Sequence, residues 1–103
     1  MSEESFDLPK GESKTSQEVR EPKMYRVLLH NDDYTTMEFV VEILISVFRK
    51  PAAEATRIML DVHKKGIGIC GVYTYDIANT RAAMVHQLAK KREFPLQCTI
   101  EEV

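Results

Sequence analysis

The segment LLHNDDYTTMEFV, residues 28–40, sets His30, Asn31, Asp32 and Asp33 between two apolar runs. A tight turn uses one or two such residues, whose side chains bond the backbone a few positions on. Four of them leave acceptors over. One chemistry is structural: an Asx turn with a helix cap, which employs Asn31 and one aspartate and leaves the other solvated. A second is a metal site from His30, Asp32, Asp33 and His63. Against it, the spacing does not match the twelve-residue calcium loop, and there is neither an H-E-x-x-H motif nor a Cys/His cluster for zinc. The third is capture of a cation, in particular the α-ammonium group of a peptide. That group carries three donors and a positive charge, and an Asn carbonyl, a carboxylate and a neutral imidazole nitrogen are the acceptors it needs.

An apolar pocket beside those acceptors is consistent with the helical spacing nearby. Met59, Val62 and His63 stand at i, i+3 and i+4, and Met37 and Val40 are three apart, so each set shares one helix face. If the two faces meet, Met37, Val40, Met59 and Val62 wall a pocket with His63 at its edge. The plainer alternative is that these are core residues, as apolar stripes usually are, and that His63, beside Lys64 and Lys65, caps the last carbonyls of its helix. Spacing alone leaves both open. Catalysis finds less support. Ser46 is the one serine beyond residue 23, and no nucleophile–base motif or glycine-rich phosphate loop is present. Cys70 with His63 could imitate a thiol pair, but Cys70 lies in an apparent strand among apolar neighbours. Nothing in the sequence demands an enzyme.

The elements that must position these residues follow from periodicity and breakers. MYRVLLH predicts a strand over residues 24–30. NDDYTT is the turn, Thr35 or Thr36 can cap the next helix, and Glu38 suits its positive end. A helix is expected over residues 36–48, apolar around most of its circumference, and Pro51 opens a second helix that Gly66 ends. IGICGVYT reads as a strand whose two interior glycines mark a bulge or a close backbone approach. A third helix follows over residues 75–92, with an apolar stripe at 77, 78, 82, 85, 88 and 89. Phe94-Pro95 breaks it, and LQCTIEE forms the last strand. The order β-α-α-β-α-β predicts an α+β sandwich, one three-stranded sheet packed against three helices.

The whole chain bounds these readings. At 103 residues, one domain suffices, and it can fold without metal or disulfide staples. Fourteen basic against sixteen acidic residues give a net charge of −2, no general reason to expect a nucleic-acid partner. No apolar run reaches membrane-spanning length, and MSEESFDLPK lacks the layout of a signal peptide. Cys70 and Cys98 lack C-x-x-C spacing and read as reduced thiols of a cytoplasmic protein. Residues 1–23 are rich in Glu, Ser and Lys and read as a flexible extension, which leaves 24–103 as the core domain. A monomer is the default expectation.

MYRVLLHNDDYTTMEFVVEIL, MLDVHKKGIGICGVYT and PLQCTIEE together resemble the ClpS adaptors of bacterial N-end-rule proteolysis. The resemblance runs from about Pro22 to the C-terminus and rests on the ordered set N-D-D-x-T-x-M, M-x-x-V-H, G-x-x-x-C-G-V and P-L-x-C-T. It implies an adaptor without a cofactor, which binds substrates bearing N-terminal Leu, Phe, Tyr or Trp and delivers them to the ClpA unfoldase of the ClpAP protease. By the same resemblance, Asn31, Asp33 and His63 would hold the α-amino group, and Asp32 and Thr35 would position the loop. Met37, Val40, Met59, Val62 and Leu96 would line the side-chain pocket, with Met37 as a gate at its mouth. ClpA docking would use Asp76 and Arg81, where relatives more often carry Glu and Lys. Two other classes compete: a ribosome-associated or structural interaction domain, which needs neither Asn31 nor His63, and a small metal-dependent hydrolase using the aspartate pair.

Overall fold

The computed structural model describes residues 20–103, so the expectation for residues 1–19 lies outside the described residues. From 20 to 23 the chain is exposed and carries no regular structure. Six elements follow: β1 (Met24–His30), α1 (Met37–Ser46), α2 (Ala52–Lys65), β2 (Ile67–Thr74), α3 (Tyr75–Lys91) and β3 (Gln97–Glu102). The strands form one antiparallel sheet in the order β2-β1-β3, the α+β arrangement expected from the sequence.

β1 is the central strand, and its middle, Val27–Leu29, is apolar on both faces rather than alternating. Val27 and Leu29 are fully buried, and Leu28, on the opposite face, is still only 7% exposed. Leu29 stands opposite Gly68 on β2 and Cys98 on β3. The β1–β2 register shifts between Val27, opposite Gly71, and Leu28, opposite Ile69, so Cys70 is the extra residue of a bulge. At Gly68 the reason for glycine is space. A Cβ there would lie 2.6 Å from Val62 Cγ2 and 3.1 Å from the Ile58 carbonyl oxygen.

Phe39, Ile43, Leu44 and Val47 from the α1 segment meet Ala55, Ile58 and Val62 of α2 and Ala78, Ala82, Val85 and Ala89 of α3 in one core. The small residues of α3 let that helix lie close on the sheet. Ile77 and Leu88, expected in the buried stripe, instead remain 45% and 36% exposed on its flank.

The helix ends differ from expectation for a physical reason. Helix α1 stops at Ser46, two residues early. Arg49 takes a left-handed φ of 58°, and Lys50 N–H bonds the Leu44 carbonyl at 3.0 Å, a left-handed ending without glycine. Glu93 (φ 61°) ends α3 in the same conformation, and Phe94 N–H reaches the Ala89 carbonyl at 2.9 Å. Pro51 is the N-cap of α2 rather than its first residue, and Gly66 (φ 88°) closes that helix.

Candidate functional site

The polar segment after β1 is held at both ends. Asn31 N–H donates to the Gly66 carbonyl at 3.0 Å, tying the turn to the C-terminal end of α2. Thr36 Oγ1 accepts from Phe39 N–H at 3.1 Å and so starts α1. These two bonds bring the turn, the first turn of α1 and the last turn of α2 around one point.

Asp32 and Asp33 divide the work between them. The Asp32 carboxylate accepts from Tyr34 N–H at 2.8 Å, Thr35 N–H at 2.7 Å and the Thr35 hydroxyl at 2.7 Å. Burial alone would raise its pKa. The bonds from Thr35 and Tyr34 outweigh that effect and hold it below the usual carboxylate range. Asp32 is thereby consumed by the turn as an Asx-type brace. Asp33 is exposed and, among the described residues, makes no ion pair. Its carboxylate is the spare acceptor.

A cavity of about 260 Å³ opens at this point. Its rim carries Asn31, Asp32, Asp33, Thr35 and His63, and its walls are Met37, Val40, Met59 and Val62. The deep wall is core: Val40 and Val62 are 5% and 3% exposed, whereas Met37, at 43%, stands at the lip. A cavity of ~150 Å³ lined by apolar side chains admits a benzene molecule, so this volume suits one large side chain and the charged group beside it. The arrangement can solvate a small cation on one side and remove an apolar group from water on the other.

Nine of the ten residues expected at the pocket and its loop line this one cavity. Leu96 does not; it is 4% exposed, packs in the core just before β3, and stands outside the lining. His30 is also elsewhere, its Nε2 lying 2.7 Å from Thr99 Oγ1 across the sheet. No group of three or more His, Cys, Asp or Glu side chains among the described residues is placed to hold a metal ion.

Asp76 and Arg81 lie on α3, away from the cavity. Asp76 is exposed in the first turn. Arg81 is half-buried: its Nη1 donates to the Val47 carbonyl at the end of α1, and its guanidinium sits 5.5 Å from the centre of the Tyr73 ring. Part of its charge is therefore turned inward. Sequence reasoning missed the bond from Asn31 to Gly66, although Gly66 was legible as a helix end. It also missed a second hollow beyond Met37, formed with Glu38 and Val41. The signal for Val41 was its place four residues after Met37 on the same helix.

Residues 20–99 match the family described as the ATP-dependent Clp protease adaptor protein ClpS. A ClpS adapter protein of Syntrophus aciditrophicus is 67% identical over 85 residues, 82% of this chain and 79% of that protein. One from Nitratidesulfovibrio vulgaris (strain DSM 19637 / Miyazaki F) is 67% identical over 86 residues, 84% of this chain and 86% of that protein. Among solved structures, Agrobacterium tumefaciens ClpS2 bound to L-phenylalaninamide is similar with a TM-score of 0.78 and 41% identity, covering 81% of this chain and all of the other.

Proposed function

The chain belongs to the ClpS family of Clp protease adaptors, and on that premise we propose that it captures proteins by an N-terminal Leu, Phe, Tyr or Trp and delivers them to the ClpA unfoldase of ClpAP. The observation that carries the reading is the joining of spare acceptors to apolar walls in one cavity of about 260 Å³. The α-ammonium sits among Asn31, Asp33 and His63, and the first side chain enters between Met37, Val40, Met59 and Val62. Asp32 and Thr35 hold the turn. L-phenylalaninamide, the ligand of the Agrobacterium relative, has the matching chemistry: a free amino group, an aromatic side chain, and an amide where a chain would continue.

Burying an aromatic side chain removes about 150–250 Å² from water, a gross gain of roughly 4–6 kcal/mol. Charge-assisted hydrogen bonds from the ammonium add about 1.5–3 kcal/mol each, and lost translational and rotational freedom opposes both. The protein acts as a cytoplasmic monomer without chemistry of its own, residues 24–103 being the adaptor core. Asp76 and the outward side of Arg81 meet ClpA on a surface separate from the cavity, so cargo and unfoldase bind together.

Fluorescence anisotropy of a labelled peptide beginning with free Phe, set against its acetylated twin and a twin beginning with Val, tests the reading. Binding by the free Phe peptide is expected to exceed both others by at least tenfold. Equal binding of all three would leave a nonspecific apolar groove and overturn the ammonium cage.

A further inference from the structure

A second hollow of about 430 Å³ adjoins the cavity, lined by Met37, Glu38, Val41 and Met59. Met37 and Met59 belong to both, so the two hollows are separated by the thickness of one side-chain wall. The second is apolar except for the Glu38 carboxylate, which is exposed and, among the described residues, makes no ion pair. An acidic residue in the first turn of α1 is explained by the helix dipole. The dipole does not explain an apolar hollow at its foot.

An extended chain whose first side chain fills the cavity points its second side chain the other way. Its third returns to the same side about 6.5–7 Å further on. That step is of the order of one side-chain wall. Resting on the proposed capture of amino termini, we infer that the second hollow is a subsite for the third residue of the bound chain. It selects a side chain with a long apolar stem and a cationic head, arginine or lysine. The stem lies on Met37, Val41 and Met59, and the head reaches the Glu38 carboxylate. Such side chains bury their methylenes while keeping the charge in water.

The test uses the full chain and C-terminally labelled peptides beginning Phe-Ala-Arg, Phe-Ala-norleucine, Phe-Ala-Ala and Phe-Arg-Ala, read by anisotropy. Phe-Ala-Arg is expected to bind roughly three- to tenfold tighter than Phe-Ala-Ala, the scale of one buried stem with one partly exposed ion pair. Norleucine should fall between them, and in Glu38→Gln the arginine peptide should drop to the norleucine level. An arginine advantage that survives Glu38→Gln would come from the general acidity of the rim and would overturn the subsite. So would an equal or larger advantage at the second residue, or none at the third. Failure of Phe-Ala-Ala itself to bind would instead overturn the capture of amino termini.

Discussion

Gly68 and Val62 form a coupled pair through which the sheet presses on the pocket wall. A methyl group added at Gly68 would meet Val62 Cγ2 at 2.6 Å, Ile58 O at 3.1 Å and Ile58 Cγ2 at 3.3 Å. Carbon atoms rest at ~3.5–4.0 Å, so α2 or Val62 must retreat by roughly 1 Å in a core that transmits such shifts. Gly68→Ala is therefore expected to cost about 1–3 kcal/mol, the range for overpacking. Val62→Ala alone loses two buried methyl groups, about 1–2.5 kcal/mol. If the sites were independent, the double variant would lose the sum of the two. Removing Cγ2 abolishes the worst contact, so the double variant should recover at least ~1 kcal/mol relative to that sum. Recovery stays incomplete because the Ile58 carbonyl remains at 3.1 Å. Urea denaturation of the four proteins, followed by circular dichroism, measures the coupling, and each kcal/mol also moves Tm by about 4–8 °C in a domain of this size. Additivity within about 0.5 kcal/mol would show that Gly68 is not there for Val62. Gly71→Ala supplies a comparison in which the added methyl meets one side chain and no backbone, the Tyr73 hydroxyl and ring edge at 2.5–2.8 Å.

Asp32→Ala should lower stability at neutral pH by about 1 kcal/mol, in line with loss of a partly solvated cap-like carboxylate. Because the folded pKa of Asp32 is depressed, its contribution is present above the ordinary value of 3.8 and is lost as pH falls through the lower folded value. The gap between variant and parent should therefore close in acid, and a gap constant down to pH ~2 would contradict the brace. The thiols of Cys70 and Cys98 should resist alkylation in the folded protein. Both are buried; burial pushes Cys98 up to about 12, and burial reinforced by Cys98 pushes Cys70 beyond the usual thiol range. At pH 8 a thiol-reactive dye should label them roughly a thousandfold more slowly than in denaturant. Rapid stoichiometric labelling of the native protein would refute this.

Element types were legible because each announces itself locally: β-branched and aromatic residues running into a polar turn for β1, Gly66 closing α2, and Phe94-Pro95 before β3. The end of α1 was not, because Arg49 occupies a left-handed position where glycine is the usual signal. In the site, helical spacing set Met37 with Val40 and Met59 with Val62 on shared faces, but it could not say that α1 and α2 face one another across a cavity. The two aspartates look alike in sequence. Only the bonds from Tyr34 and Thr35 separate the brace, Asp32, from the free acceptor, Asp33. Leu96, which the resemblance set at the pocket, packs in the core just before β3, a position that depends on long-range register.

The deep wall of the cavity is also the centre of the molecule, since Val40 and Val62 belong to the main core. Any substitution that enlarges or reshapes the floor must also alter how the chain holds itself together. Met37 and Met59 carry no such double duty to the same degree: Met37 is largely exposed, and Met59 is half-buried. A lineage exploring new cargo preferences therefore has an open route through the two methionines at the lip and a nearly closed one through the valines beneath. The floor is inherited with the fold, and the lip is where diversity can collect.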